Sequence, residues 1–70
     1  MDEPFRIVTR CSPNPEEAWD VYNFYPTQHV AIYYITLLRS LQGFRVSGRQ
    51  FRLELMVGEG VWRTCPETLG

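Results

Sequence analysis

Lysine is missing from this 70-residue chain; all seven basic residues, Arg6, Arg10, Arg39, Arg45, Arg49, Arg52 and Arg63, are arginine. GC-rich codon usage accounts for that bias. That is the plainer account; selection for planar, forked donors that pair carboxylates or phosphates and stack on rings is the other. Histidine is nearly missing: His29 stands alone. A nucleophile needs a base within reach, and neither Cys11 nor Cys65 has a local signature joining it to His29. A zinc site draws on about four ligands at paired spacing; two cysteines far apart in sequence and one histidine do not supply it. No glycine motif that cradles phosphate is present, and the glycines stand at turns. Paired carboxylates occur only as Asp2-Glu3 and Glu16-Glu17, in tail and loop. The chain is therefore expected not to be an enzyme and to carry no cofactor or metal.

Other scarcities narrow the class. The net charge is only −1, which argues against a general polyanion binder and against a disordered acidic tail. No apolar run is long and clean enough to span a bilayer. No charged start followed by an apolar stretch marks a secretory leader. The expectation is a cytoplasmic protein with both thiols free and no membrane partner.

What is present is one small domain. A chain of this length buries about 60% of its unfolded surface, so its stability is modest. Aromatic residues, at 14%, help such a small core. Charge is unevenly laid out. Met1 to Asp20 carries five acids against Arg6 and Arg10, a local −3; Leu38 to Arg63 carries five arginines against Glu54 and Glu59, a local +3. Val21 to Leu37 carries no formal charge. Such a bipolar chain can pair its own halves or form a homodimer.

Alternation reads Phe5 to Cys11 as a strand, with Phe5, Ile7, Thr9 and Cys11 on one face and Arg6, Val8 and Arg10 on the other. Ser12 to Glu17 has turn chemistry. The stretch "SPNPEEAWDVYNFYP" opens like a helix, with Asn14 as a cap and Pro15 at a first position. Its aromatic and branched residues form no helical stripe, however, and Pro26 disfavours a helical Tyr25. A strand over Ala18 to Phe24, paired back on the first, is the better reading; a helix from Pro15 to about Asn23 is the rival. Thr27 to Gln42 reads as a helix capped by Thr27, with an apolar stripe of Val30, Tyr34, Leu37, Leu38 and Leu41 flanked by Ala31 and Ile35. Gly43 is expected to end it in a left-handed conformation. A short strand at 44–46, a turn at Ser47-Gly48-Arg49, a strand alternating Phe51, Leu53, Leu55 and Val57, a "GEG" turn and a return over Val61 to Cys65 follow. Residues 1–4 and 66–70 read as tails.

The expected architecture is α+β: an antiparallel sheet from elements in ββαββ order, with one helix on one face. The helix is expected to pack on Phe5, Ile7, Phe51, Leu53, Leu55 and one of the two tryptophans. The reverse face then gathers Arg6, Val8, Arg10, Arg45, Arg52, Glu54 and Met56, joined by Asp20, Tyr22 and Phe24 in one phase. Cross-strand ion pairs in water are the plain account of that face; recognition is the other. Ile32 and Tyr33 fall off the helix stripe and stand as a second contact, beside Arg39. The composition suits a protein-binding module that occupies a partner's surface. A phage or mobile-element inhibitor of a host system, or a small subunit of a complex, would fit. Arg6, Arg10, Tyr22, Ile32, Tyr33, Arg39, Arg45 and Arg52 are the candidate partner-binding residues. The alternative is single-stranded nucleic acid on the arginine and aromatic face, which the net charge and a helix bearing only Arg39 disfavour.

Overall fold

A computed structural model of the chain describes residues 3–11, 16–43 and 48–68. The expected strand at 44–46, Arg45, and the Asn14-Pro15 cap lie outside the described residues. The elements are β1 (Phe5–Arg10), β2 (Asp20–Tyr25), α1 (Gln28–Ser40), β3 (Gln50–Gly58) and β4 (Val61–Thr64). They form an α+β fold, a four-stranded antiparallel sheet with one helix packed on it. Within the sheet the strands do not follow chain order; they lie β2-β1-β3-β4. β1 is antiparallel to both neighbours, so β2 and β3 run parallel with β1 between them, and α1 makes the crossover.

The stretch with two readings is a strand. Asp20 to Tyr25 pairs with β1, and no helix forms among the described residues from Glu16 to Tyr25. Its alternation breaks once. The register passes from Ile7 opposite Asn23 to Val8 opposite Val21, so Tyr22 is an extra residue in a β-bulge. Phe24 therefore lies over the arginine face, against Trp62, while Tyr22 sits edge-on to Phe51 on the helix side. Tyr22 was expected among the arginines; the bulge moves it to the opposite face.

Thr27 caps α1 as expected: its hydroxyl accepts from the Val30 N–H at 3.2 Å. The other end differs. The chain leaves the helix at Leu41, in an extended conformation, and Gly43 has no positive φ. The Leu41 N–H donates to the Leu38 carbonyl and the Ser40 hydroxyl to the Leu37 carbonyl, so these late carbonyls are met without a left-handed residue. The buried stripe is also displaced. Ala31, Ile35 and Leu38 face the sheet, which turns the helix by roughly 80° from the expected stripe. Tyr34, Leu37 and Leu41 are exposed, and Ile32, expected outside, packs against the core.

The core joins Ala31, Ile35 and Leu38 to Ile7, Tyr25, Phe51, Leu53 and Cys65, with Phe5, Val30, Ile32 and Leu55 at its margin. Neither tryptophan belongs to it; both lie with the arginines. Beyond β4 the chain stays docked on the helix. The Cys65 N–H donates to the Leu53 carbonyl, the Gln28 amide to the Pro66 carbonyl, and Arg39 pairs with Glu67. Both cysteines are free, Cys11 exposed and Cys65 buried.

Candidate functional site

Three regions of this fold carry the residues that the sequence singles out. The first is the sheet face away from the helix. β1 contributes Arg6, Val8 and Arg10; β3 contributes Arg52 and Glu54; Trp19 precedes β2 and Trp62 belongs to β4. Cross-strand register places Arg6 between Phe24 and Glu54, and Val8 between Val21 and Arg52. The face is not an open one, as alternation alone implies. Val8 and Glu54 are buried on it.

The arginines are the covering layer. Arg6 Nε donates to Glu54 Oε1 and Arg52 to Glu54 Oε2, both at 2.7 Å. One buried carboxylate thus holds two guanidiniums. Arg6 lies 4.1 Å from the Trp62 ring centre; Arg10 and Arg52 lie 4.4 and 4.5 Å from that of Trp19. Each such contact contributes about 0.5–2 kcal/mol, depending on desolvation. Arg52 Nε is enclosed without a hydrogen-bond partner; the adjacent indole face is the weak acceptor that remains. Each tryptophan thus already carries a cation over its ring.

The second region is a cleft of about 460 Å³ where β4 has run out and β3 continues. It is lined by Arg10, Arg39, Arg49 and Arg52, with Trp19, Gln50 and Phe51, and, among the described residues, by no acid. Arg10 Nε donates to Gln50 Oε1 at 2.7 Å. Arg49 reaches the Thr9 hydroxyl and Cys11 Sγ. Arg39 reaches β3 beyond the end of β4: one nitrogen donates to the Phe51 carbonyl at 2.9 Å while the guanidinium grips Glu67. Donation of its hydrogen bonds to Glu67 raises the Arg39 pKa above its ordinary value, against partial burial.

The third region is the helix flank nearest β2. Tyr34 stacks on Tyr25 with ring centres 5.3 Å apart, and Tyr33 meets Tyr34 edge-on at 5.3 Å. Burial pushes the Tyr25 hydroxyl pKa up, with smaller contributions from Tyr22 and Tyr34. All four tyrosines of the chain therefore gather on this side. Tyr33 is 64% exposed, and Tyr34, Leu37 and Leu41 are each exposed as well. Going around α1, one face is buried, one is polar (His29, Thr36, Ser40) and one is exposed and apolar. β2 beside it is an edge strand with five of its six residues exposed. Its bulge at Tyr22, and an Asn23 side chain that takes the Phe24 N–H at 2.8 Å, occupy part of that edge.

The candidate residues therefore separate. Arg6, Arg10 and Arg52 meet on one face as anticipated. Arg39 joins the last two across the cleft, Tyr22 and Tyr33 lie on the helix side, and Ile32 faces the core. Sequence reasoning missed Trp19 and Trp62 as partners of the arginines, and Tyr34, Leu37 and Leu41 as surface. Their apolar character assigned Tyr34, Leu37, Leu41 and one of the two tryptophans to the core.

Among the described residues no group of three or more histidine, cysteine or acidic side chains could hold a metal ion, and no helix is long and apolar enough to cross a membrane. Comparison with protein-family models, with curated proteins and with solved structures finds nothing that matches this chain.

Proposed function

We propose that this chain is a small, non-enzymatic protein-binding module that works by covering part of a partner's surface. The observation that carries this reading is the third face of α1: Tyr33, Tyr34, Leu37 and Leu41 exposed together, in a helix whose only formal charge is Arg39. Single exposed apolar residues are ordinary. A contiguous row rich in tyrosine, bordered by an edge strand without charge after Asp20, has the composition of an interface core. Ring stacking on Tyr25 fixes Tyr34, and an anchor held rigid in advance loses little entropy on binding. Inhibition of a host system by a phage or mobile element, or membership of a larger complex, are roles such a module fills.

The nucleic-acid alternative is weaker on this geometry. Arg6 and Arg52 are committed to Glu54 and to indole rings, and those rings are covered. The test is binding to a defined partner in about 1 M salt, where the Debye length falls to about 3 Å. Complex formation should survive that salt and be lost on Leu37→Glu or Tyr33→Ala, with sedimentation separating a heteromeric complex from a homodimer. Retention on single-stranded oligonucleotide that collapses with salt, and is unchanged in those variants, would overturn the proposal.

A further inference from the structure

The composition of the arginine-lined cleft sets it apart from the rest of the molecule. The whole chain has net charge −1, yet the lining holds four arginines and, among the described residues, no acid. Internal pairing accounts for only part of that charge. Glu67 matches Arg39. Glu54 is shared between Arg6 and Arg52, leaving that trio with a net positive charge. Among the described residues no carboxylate forms an ion pair with Arg10, whose Nε is met by the neutral Gln50 amide.

The positions are also fixed in advance. Arg10 is steered by Gln50 on one side and laid on Trp19 on the other. Arg39 is held by a backbone carbonyl and a carboxylate. Both terminal nitrogens of Arg39 are committed to Glu67 and Phe51, whereas Arg10, restrained through its Nε, presents its terminal nitrogens as a fork at little further entropic cost, and a fork matches a carboxylate with two parallel hydrogen bonds. Of the two rings lining the cleft, Phe51 is buried and Trp19 already carries two cations. The cleft offers charge and forked donors rather than a platform for a base.

We propose that this cleft is a carboxylate-recognition site that takes an acidic segment of a partner polypeptide, with Arg10 as the principal fork. The polypeptide nature of the ligand rests on the protein-binding reading above; the site uses none of the residues of the tyrosine flank.

The test is a nuclear magnetic resonance titration of the whole chain, following its two indole N–H resonances. Trp19 lines the cleft and Trp62 stands at the other end of the arginine face, so Trp62 is an internal reference. The probes are hexaglutamate, hexaglutamine, inorganic phosphate and an oligothymidylate. Saturable movement of the Trp19 resonance with hexaglutamate is expected, with Trp62 little changed and hexaglutamine inert. Arg10→Gln should weaken that response by about tenfold or more, and an unshifted Trp62 resonance reports that the variant is folded. If Arg10→Gln disturbs folding, Arg49→Gln, at the cleft rim, should weaken the same response. Several results overturn the proposal: no saturation, equal movement of both indoles, a response unaltered by the arginine variants, phosphate binding as tightly as hexaglutamate, or oligothymidylate binding more tightly. Leu37→Glu should leave the titration unchanged. A salt-resistant complex through the tyrosine flank without any Trp19 response would sink this inference alone; a Trp19 response without such a complex would sink the other.

Discussion

Glu54→Gln tests whether the arginine layer is a structural part of the molecule. The Glu54 side chain is 6% exposed and accepts from Arg6 and Arg52 at 2.7 Å each. Glutamine keeps one acceptor and turns the other position into a donor facing a guanidinium. Removing one partner of a fully buried ion pair costs about 3–5 kcal/mol. Here the two arginines are 22% and 36% exposed, so water recovers part of their hydration, and about 2–4 kcal/mol is the expected loss. The stacking on Trp19 and Trp62 does not offset it, because it holds two like charges together once their shared anion is gone. A chain of this size has about 4–10 kcal/mol of stability in all, so the variant should melt roughly 10–25 °C lower. Urea unfolding followed by far-ultraviolet circular dichroism measures the loss without relying on indole emission. The cycle with Arg6→Gln should show a coupling of about 1–3 kcal/mol. A loss under about 0.5 kcal/mol, the range of ordinary surface substitutions, would refute the reasoning and return Glu54 to the status of a solvated pair.

Burial raises the Tyr25 pKa, so the unfolded chain loses that proton first as pH climbs. Stability from this group is therefore complete below about pH 10 and declines as pH rises from the unfolded value through the folded one; Tyr25→Phe should flatten the alkaline limb of a urea-midpoint profile, and an unchanged limb would show the hydroxyl to be indifferent. Burial, with a smaller effect of Glu67, also raises the Cys65 thiol, while Cys11 is exposed. Mass spectrometry after brief iodoacetamide treatment should find one label, on Cys11, and a second only after unfolding; equal rates would contradict the docked C-terminal segment. Gly60 has φ +72° with nothing near a Cβ, so Gly60→Ala should cost about 1–2 kcal/mol through backbone conformation alone, and a neutral result in the urea midpoint would mean the β3-β4 turn relaxes freely. Thr27→Ala removes a cap bond to Val30 and should lower stability by about 1 kcal/mol, read as a shift in thermal midpoint.

Much of this was legible from residue order. Period-two alternation in Phe5 to Arg10 and in Phe51 to Leu55 placed both central strands and sorted their faces, because each has hydrophobes on one side and charges on the other. Thr27 after Pro26 fixed the helix start. Three features were not legible, each for a physical reason. A bulge leaves no mark on composition, so Tyr22 was assigned by a parity that the extra residue breaks. The helix stop at Leu41 is set by hydrogen bonds late in the helix, which glycine preference at 43 does not report. The fate of Trp19 and Trp62 depended on a competition between burial in the core and cation contact on the reverse face, and a hydropathy pattern counts only the first.

That competition also explains the helix phase, and with it the proposed interface. With both tryptophans drawn to the arginines, the sheet side facing α1 is left with Ile7, Phe51 and Leu53 as its main surface. The helix meets this surface through Ala31, fully buried and small, with Ile35 and Leu38 on either side. A small residue at the contact allows close approach, and close approach favours the Ala31 face over the bulkier Tyr34 and Leu37 face. The apolar row that periodicity marks as the buried one is then turned toward solvent, beside an edge strand without charge after Asp20. The same choice that gives the reverse face its cation layer thus exposes tyrosine and leucine on the helix. The two halves of this account stand or fall together: Trp19→Leu and Trp62→Leu should weaken the arginine layer without restoring Leu37 to the core, because Ala31 already fills that contact. If instead Leu37 becomes protected in such a variant, as amide exchange across α1 would show, the helix can roll on the sheet, and the exposed row is a consequence of loose packing and not a surface built for a partner.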